Sequence, residues 1–276
     1  IFSNLATIHI AKHKYAINAH ILGDHNELAW SNLGYWEDAT SSYPEACQVL
    51  ADQLTQSLEL TSEHHLLDLA CGQGASLLHW QNNYHIHKIS AVELQQECVK
   101  HIQAKLFPPV DIHCESFLNL KTISFQQKFD VAVCIDAAYH CDLNSFLKSV
   151  NSVLNSNGKL GFHYLMLSDE WQSLNSLQKQ KYKWLLKAAD INLEHLMMQK
   201  EMKQTIEKNE FKDVQIVDLS KQVFAGFATY VKDVLNLNMQ TNKLDSFKIE
   251  MTAKLCSKLY EDGLVKYVQV TAKNNN

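Results

Sequence analysis

Glycine and proline are scarce in this chain of 276 residues, which contains eight glycines and three prolines. Because these two residues punctuate turns and break helices, their scarcity excludes collagen-like and proline-rich disordered architectures and favours long helices. Charged residues make up 20% and hydrophobic residues 46% of the chain, as in an ordinary globular protein. The length suffices for one domain with a large buried core.

Paired cysteines, metal-ligand motifs and long apolar runs are also missing. The seven cysteines, at positions 47, 71, 98, 114, 134, 141 and 256, show no C-x-x-C spacing, so we expect free thiols and a cytoplasmic protein. The fourteen histidines form no H-E-x-x-H motif or Cys/His cluster, and we expect no metal site. No apolar run approaches the ~18 residues of a membrane span, and no secretory signal is recognisable.

An excess of basic residues is absent as well, because the formal net charge is −5 at pH 7. Affinity for nucleic acids comes largely from clustered lysine and arginine. We therefore predict a small-molecule acceptor as the partner, no nucleic acid and no membrane span. The sequence leaves open whether the chain forms a homodimer.

Seven short apolar segments alternate with segments of helical periodicity. They cover residues 66–70, 89–94, 110–114, 129–136, 159–165, 214–219 and 264–272. The early ones are continuously apolar, as strands covered on both faces by helices are. The alternation predicts an α/β fold with a Rossmann-like, doubly wound, seven-stranded and mostly parallel sheet. N-terminal helices and helical lid insertions after strands 5 and 6 complete the prediction.

A strand, a small-residue turn and a helix follow one another around Asp68-Leu-Ala-Cys-Gly-Gln-Gly74. Gly72 and Gly74 allow a sharp turn and a close backbone approach to a ligand at the carboxyl edge of the sheet. Glu93 ends the next strand, where a carboxylate can accept both hydroxyls of a ribose. The dinucleotide motif G-x-G-x-x-G is excluded because position 77 is leucine and because Asp68 would face a pyrophosphate.

This segment resembles the D-x-G-x-G-x-G motif of the class I S-adenosylmethionine-dependent methyltransferases, with Ala70 in place of the first glycine. The resemblance extends from about Asn32 to Lys273 and implies S-adenosyl-L-methionine as the cofactor. Asp68 would lie near its methionine end, Glu93 would bind its ribose, and the Glu115-Ser116 pair would lie beside its adenine. The implied cofactor-binding residues are Tyr35, Trp36, Asp68, Ala70, Gly72, Gly74, Glu93, Leu94, Glu115, Ser116 and Asp136.

Asn32-Leu-Gly-Tyr-Trp36 is similar to a segment of the branch that methylates sugars, sterols, tocopherols and related natural products. By this resemblance Tyr35 and Trp36 would cover the methionine end of the cofactor. The residue type is suitable, since aromatic faces attract a sulfonium cation.

Asp136-Ala-Ala-Tyr-His140 is similar to the E-S-x-x-H tip of the same branch, whose histidine acts as the base in some members. The resemblance implies His140, Asp136 and Tyr139 as catalytic residues, because a hydroxyl acceptor must lose its proton and histidine has a suitable pKa. His163 is the alternative base if it lies on the same edge, although strand alternation can equally turn it inward.

The resemblance also implies a single methyltransferase domain over residues 1–276. Within it, residues 1–60 would form an N-terminal helical cap, 61–166 the cofactor-binding core, 167–210 a helical lid, and 211–276 the last strands with a helical insertion. An apolar stripe in the lid would line an acceptor pocket or, as we favour, pack the lid onto the sheet. Its members are Trp171, Tyr182, Trp184 and Met198.

The function that follows is methyl transfer to an oxygen, nitrogen or carbon atom of a small, partly apolar metabolite. Asp136-Ala-Ala-Tyr139 also resembles the [D/N]-P-P-[Y/F] motif of enzymes that methylate amino nitrogens on DNA bases or glutamine, but both prolines are missing. A first alternative is therefore methylation of an amino nitrogen on a protein or nucleic acid. A second alternative is a non-catalytic binding protein with the methyltransferase fold.

Overall fold

The computed structural model of the protein describes residues 18–237 and 243–275. Its centre is a seven-stranded sheet in the order β3-β2-β1-β4-β5-β7-β6. The strands are β1 Leu66–Leu69, β2 Ile89–Glu93, β3 Asp111–Cys114, β4 Phe129–Cys134, β5 Leu154–Leu167, β6 Phe211–Asp218 and β7 Val265–Asn274. The first five run parallel, and β7 is antiparallel to both of its neighbours. The prediction of a Rossmann-like, mostly parallel sheet is confirmed.

Eight α-helices flank the sheet in the described ranges. They are α1 Tyr43–Ser57, α2 Ala75–Asn83, α3 Gln96–Lys105, α4 Leu143–Asn151, α5 Ser176–Ala188, α6 Gln199–Lys208, α7 Gly226–Leu237 and α8 Lys243–Asp262. Within this described part of the chain, no helix combines the length and the apolar content that crossing a membrane requires.

The order of the strands fixes where a ligand can bind. From β1 the chain moves outward to β2 and β3, and it then returns to place β4 on the other side of β1. The switch point of the topology therefore lies between β1 and β4, and a crevice forms outside their carboxyl ends. Both strands are almost fully buried, which is why they appear in the sequence as continuous apolar runs.

The N-terminal part differs from the prediction of helices across the ligand edge. Helix α1 lies on a face of the sheet, where Leu54 and Leu58 pack against Gly161 of β5. An irregular segment, residues 23–42, reaches the ligand edge instead. Its backbone is held there by a hydrogen bond from the N–H of Leu33 to Asp136 at 2.9 Å. The first seventeen residues of the expected cap lie outside the described residues.

The lid insertion after β5 contains α5 and α6, and the insertion after β6 contains α7 and α8. Trp171 and Tyr182 are buried and pack edge to face at 5.7 Å between ring centroids, so they hold the lid in place as we favoured. Trp184 does not share this role, because 63% of its surface is exposed. The predicted stripe is wrong at this position, since helical spacing alone does not say which flank of a helix is covered.

Candidate active site

The loop between β1 and α2 adopts left-handed backbone conformations at three positions. Ala70, Gly72 and Gly74 have φ angles of 59°, 57° and 91°. A Cβ atom at Gly72 would come within 2.8 Å of Ser31 Oγ, and one at Gly74 within 2.7 Å of Ile102 Cγ1 in α3. The two glycines therefore permit a tight turn beneath the N-terminal segment, residues 23–42, at the carboxyl edge of the sheet. Ala70 keeps the conformation that favours glycine although it carries a side chain.

Glu93 lies at the end of β2 and is tied to this loop. Its Oε2 accepts the backbone N–H of Gly72 at 3.0 Å, and its Oε1 accepts that of Gln95 at 2.8 Å. Burial raises the pKa of this carboxyl, while the backbone hydrogen bonds act in the opposite direction. The side chain is held at the edge, where its remaining lone pairs can accept the hydroxyls of a ribose.

Asp68 is buried at the end of β1. Its Oδ2 accepts a hydrogen bond from the indole Nε1–H of Trp80 at 2.7 Å. Burial raises the pKa of Asp68 to about 6, although the hydrogen bonds from Trp80 and Ser76 lower it, and the nearby charge of Glu93 raises it further. A cationic ligand beside this group would shift its proton equilibrium toward the carboxylate.

Asp136 follows β4 with a φ of 54° and accepts hydrogen bonds from three directions. The hydroxyls of Tyr139 and Tyr267 donate to Oδ1 at 2.9 and 3.0 Å, and the backbone N–H of Leu33 donates to Oδ2 at 2.9 Å. Burial raises the pKa of Asp136 to about 6 despite these bonds. The carboxyl thereby connects the tip of β4 to β7 and to the N-terminal segment.

The two candidate histidines have different surroundings. His140 Nδ1 lies 3.2 Å from the carbonyl oxygen of Asp190, and because a carbonyl can only accept, Nδ1 carries the proton. His163 is fully buried, and its Nδ1 accepts the backbone N–H of Asp136 at 3.3 Å. Burial lowers the pKa of His163 to about 3 against an opposing contribution from Gln269, so the ring stays neutral. Of the two orientations considered for His163, the inward one is present.

One cavity of about 800 Å³ extends along the carboxyl edge from the glycine loop to the lid. At one end its wall is polar and contains Asp68, Gly72 and Glu93. At the other end its wall is mostly apolar, although Asp190, Asp245, Lys248 and Thr252 also line the cavity. The apolar residues there are Leu165, Leu185, Ile191, Phe224, Phe227, Leu255 and Leu259. His140, Tyr139 and Asp136 line the wall as well. Such a volume is typical of small-molecule sites, which enclose roughly 300–1,000 Å³.

The cavity wall contains most of the residues expected from the sequence. They are Asp68, Ala70, Gly72, Glu93, Leu94, Ser116, Asp136, Tyr139 and His140. Tyr35, Trp36, Gly74 and Glu115 are not part of it. Trp36 stacks on Tyr230 at 4.2 Å between ring centroids, and Glu115 accepts a hydrogen bond from Asn119. Contact of these four residues with a cofactor stays a prediction.

Several residues of the wall were missed by sequence reasoning. Trp30, Ser31, Asn32 and Leu33 line the cavity directly before the two aromatic residues that were chosen. The signal was present in the same segment, but a resemblance of residue types does not tell which of its side chains face inward. From the lid, Leu185, Ala188 and Ile191 contribute instead of the predicted stripe.

Part of the chain resembles known methyltransferases in sequence. Residues 66–158 match the family model described as a methyltransferase domain. The O-methyltransferase resE of Aspergillus sclerotiorum is 26% identical over 144 residues, which are 49% of this chain and 53% of that protein. The chain thus matches about half the length of this curated relative.

Solved structures resemble the chain over most of its length. Geranyl diphosphate C-methyltransferase from Streptomyces coelicolor A3(2), solved with S-adenosyl-L-homocysteine, has a TM-score of 0.70 at 14% identity, covering 94% of this chain and 92% of that one. The cyclopropane synthase MmaA2 from Mycobacterium tuberculosis has a TM-score of 0.68 at 16% identity, with 92% and 93% covered. At identities this low, the structural similarity establishes the fold alone. It agrees with the strand order and the loop described above.

Residues 66–158 match a methyltransferase domain, and the chain has the fold of the class I S-adenosylmethionine-dependent methyltransferases. The family prediction is confirmed, and so is the prediction of S-adenosyl-L-methionine as the cofactor of this family. The site of this methyltransferase suits that cofactor on its own geometry. The glycine loop leaves space for a close approach, a carboxyl group at the end of β2 lines the cavity where it can accept hydroxyls, and a buried acid lies at the end of β1.

Proposed function

We propose that this protein transfers the methyl group of S-adenosyl-L-methionine to a small, largely apolar acceptor. The observation that carries this proposal is the continuity of the cavity, which joins the glycine loop to an apolar chamber under the lid. A cofactor held at the polar end would direct its reactive group toward the chamber. The acceptor would lie against hydrocarbon and aromatic side chains, which favour an apolar molecule.

The polar end would hold the cofactor through three features. Glu93 would accept hydrogen bonds from the ribose hydroxyls, and Asp68 would face the cationic part of the cofactor. The protein backbone at Gly72 would lie close to the cofactor. When bound, the cofactor supplies an activated methyl group, so the protein has mainly to align the acceptor and exclude water. The apolar lid residues can do both.

His140 supports proton removal from a hydroxyl acceptor. Its Nδ1–H donates to the Asp190 carbonyl, so Nε2 is the ring nitrogen that would take up a proton. The side chain lines the cavity and is partly exposed, unlike His163. We therefore propose His140 as the base for an oxygen acceptor, with Asp136 and Tyr139 as residues that position the tip of β4.

Methylation of an amino nitrogen on a protein or nucleic acid has less support. The Asp136 carboxyl is engaged by Leu33, Tyr139 and Tyr267 of the chain itself. Alanines occupy both positions at which that motif has prolines. In addition, the chamber beyond the tip is lined mostly by apolar residues of the lid.

The experiment incubates the protein with S-adenosyl-L-methionine labelled in its methyl group. Separate reactions contain a solvent extract of small metabolites, a protein extract and nucleic acid. We expect the label to enter the solvent-extractable fraction, and we expect the Glu93→Ala variant to lose this transfer. Label in protein or nucleic acid alone would contradict the proposed acceptor class. No transfer in any fraction would favour a non-catalytic binding protein.

A further inference from the structure

The outward face of α5 carries a stripe of exposed residues. Leu177, Lys181, Trp184 and Ala188 recur at intervals of four, three and four residues and are all exposed. Leu177 is 67% and Trp184 is 63% exposed. Leu177 and Trp184 lie two turns apart on the same face of the helix, with Lys181 between them, so one surface could contact both.

The charge of α5 contrasts with that of the whole chain. The helix contains four lysines and no aspartate or glutamate, whereas the chain has a net charge of −5. Lys187 Nζ lies 5.5 Å from the centroid of the Trp184 ring. Tryptophan beside lysine on a helix surface is typical of the membrane–water interface, where the indole lies among headgroups and the ammonium meets phosphate. The charge is complementary to an anionic lipid surface.

The same helix borders the cavity. Leu185 and Ala188 line the cavity wall, and Ala188 is also exposed, so the outer stripe leads to the mouth. On the other side of the mouth, Phe247 and Met251 of α8 line the cavity and are 56% and 48% exposed. Exposed apolar side chains of α5 and α8 therefore belong to the cavity wall, together with Asp245 and Lys248 of α8.

Helix α5 is also connected to α8. The Tyr182 hydroxyl of α5 donates a hydrogen bond to Asp262 of α8, and Lys258 of α8 lies over the Tyr182 ring at 5.9 Å. This contact fixes α5 against the C-terminal end of α8.

We propose that α5, together with Phe247 and Met251, docks on an anionic lipid surface. Leu177 and Trp184 enter the headgroup region, and Lys181 and Lys187 bind lipid phosphates, whereas Lys183 is paired with Glu194. An apolar acceptor then passes from the lipid layer into the chamber without crossing water. This last step rests on the proposed function, whereas the docking itself does not.

The test is sedimentation of the full chain with vesicles. One set consists of phosphatidylcholine, and the other contains about one-third phosphatidylserine. We expect binding to the anionic vesicles to be at least about tenfold tighter, and to weaken as salt is raised. The double variants Lys181→Glu/Lys187→Glu and Leu177→Gln/Trp184→Gln should each bind about tenfold more weakly or worse.

Matched controls lie at the opposite edge of the sheet. Phe107, which is 86% exposed, lies between α3 and β3, and Lys88 and Lys128 directly precede β2 and β4. The variants Phe107→Gln and Lys88→Glu/Lys128→Glu should bind the anionic vesicles as the parent does. Calorimetric affinity for S-adenosyl-L-methionine, measured on every variant, should be unchanged. This affinity depends on the cofactor site and not on α5. A failure of docking can therefore be distinguished from a failure of the proposed function.

Three results would overturn docking. The first is equal or absent binding to the two kinds of vesicle, and the second is binding by the α5 variants that equals that of the controls. The third is that another partner occupies this face while vesicles do not bind. That partner would be a second copy, seen as a dimer that Leu177→Gln/Trp184→Gln dissociates, or RNA, seen as binding that depends on the same lysines.

Discussion

Two buried acids at neighbouring strand ends share a raised pKa but differ in their partners. The pKa values of Asp68 and Asp136 are both raised to about 6 by burial. Asp136 accepts three hydrogen bonds from distant parts of the chain, whereas Asp68 is bonded to Trp80 and Ser76 of α2. At the residue scale, Asp136 is therefore an anchor and Asp68 is the group whose charge a ligand can change.

Cofactor affinity should depend on pH through Asp68. Below a pH of about 6 the carboxyl is protonated, and binding a cation beside it then requires loss of that proton. Affinity should rise by up to about tenfold per pH unit toward pH 6 and level off above it. Calorimetric titration between weakly acidic and neutral pH measures the slope. Asp68→Asn should remove the dependence of affinity on pH. If Asp136→Asn removes it and Asp68→Asn does not, the assignment to Asp68 is contradicted.

His140 gives a second prediction at this scale. If its Nε2 removes the acceptor proton, His140→Ala should lower the methyl-transfer rate by about 10²–10⁴ while the affinity for S-adenosyl-L-methionine is preserved. His87→Ala is a suitable control, because this histidine is exposed and precedes β2 at the opposite edge. Initial rates with labelled cofactor measure the effect. An unchanged rate in His140→Ala would indicate an acceptor that needs no base, such as an amine.

At the scale of elements, the tip of β4 holds the N-terminal segment over the glycine loop. Asp136 and Leu33 are 103 positions apart in the chain, yet their hydrogen bond fixes the residues that line the cavity from above. Tyr267 connects the same carboxyl to β7. One side chain therefore positions three elements around the site.

Removal of this acceptor should destabilise the protein. In Asp136→Ala the Leu33 N–H and the two tyrosine hydroxyls lose their partner, and the expected loss in the free energy of unfolding is about 1–3 kcal/mol. Tyr139→Phe removes one donor only and should cost about 0.5–1.5 kcal/mol. Urea unfolding at neutral pH compares the two variants. Equal stability of Asp136→Ala and the parent would contradict the anchoring role.

The sheet could be predicted from the sequence because its strands are buried on both faces. Leu66–Leu69 and Phe129–Cys134 are apolar at nearly every position, and the glycine loop marks the point where β1 ends. Contacts between distant segments were not predictable in this way. Trp30 was overlooked, and Trp184 was taken as buried, because local spacing does not tell which flank of a segment meets the rest of the fold.

The tip of β4 was predicted only as a set of residues. Sequence similarity placed Asp136, Tyr139 and His140 together, and all three line the cavity. The hydrogen bonds that the two carboxyl oxygens of Asp136 accept depend on Tyr267 and Leu33, which are remote in sequence. The tautomer of His140 likewise depends on the carbonyl of Asp190 in the lid.

At the scale of the whole molecule, net charge conceals local charge. The excess of acidic residues argued for a small-molecule acceptor, and the enclosed apolar chamber supports the same proposal. The four lysines of α5 nevertheless form a basic helix beside the mouth of that chamber. An average over the chain therefore says little about what each surface can bind.

The most direct test of the proposed function is calorimetric titration of the intact protein with S-adenosyl-L-methionine. We expect one site of micromolar affinity, and Glu93→Ala should weaken binding by about 1–3 kcal/mol because a charge-assisted hydrogen bond to the ribose is lost. Lys88→Glu, on the opposite edge of the sheet, should bind as the parent does. Absence of binding to the intact protein, or equal binding by Glu93→Ala, would contradict the assignment of the cavity to this cofactor.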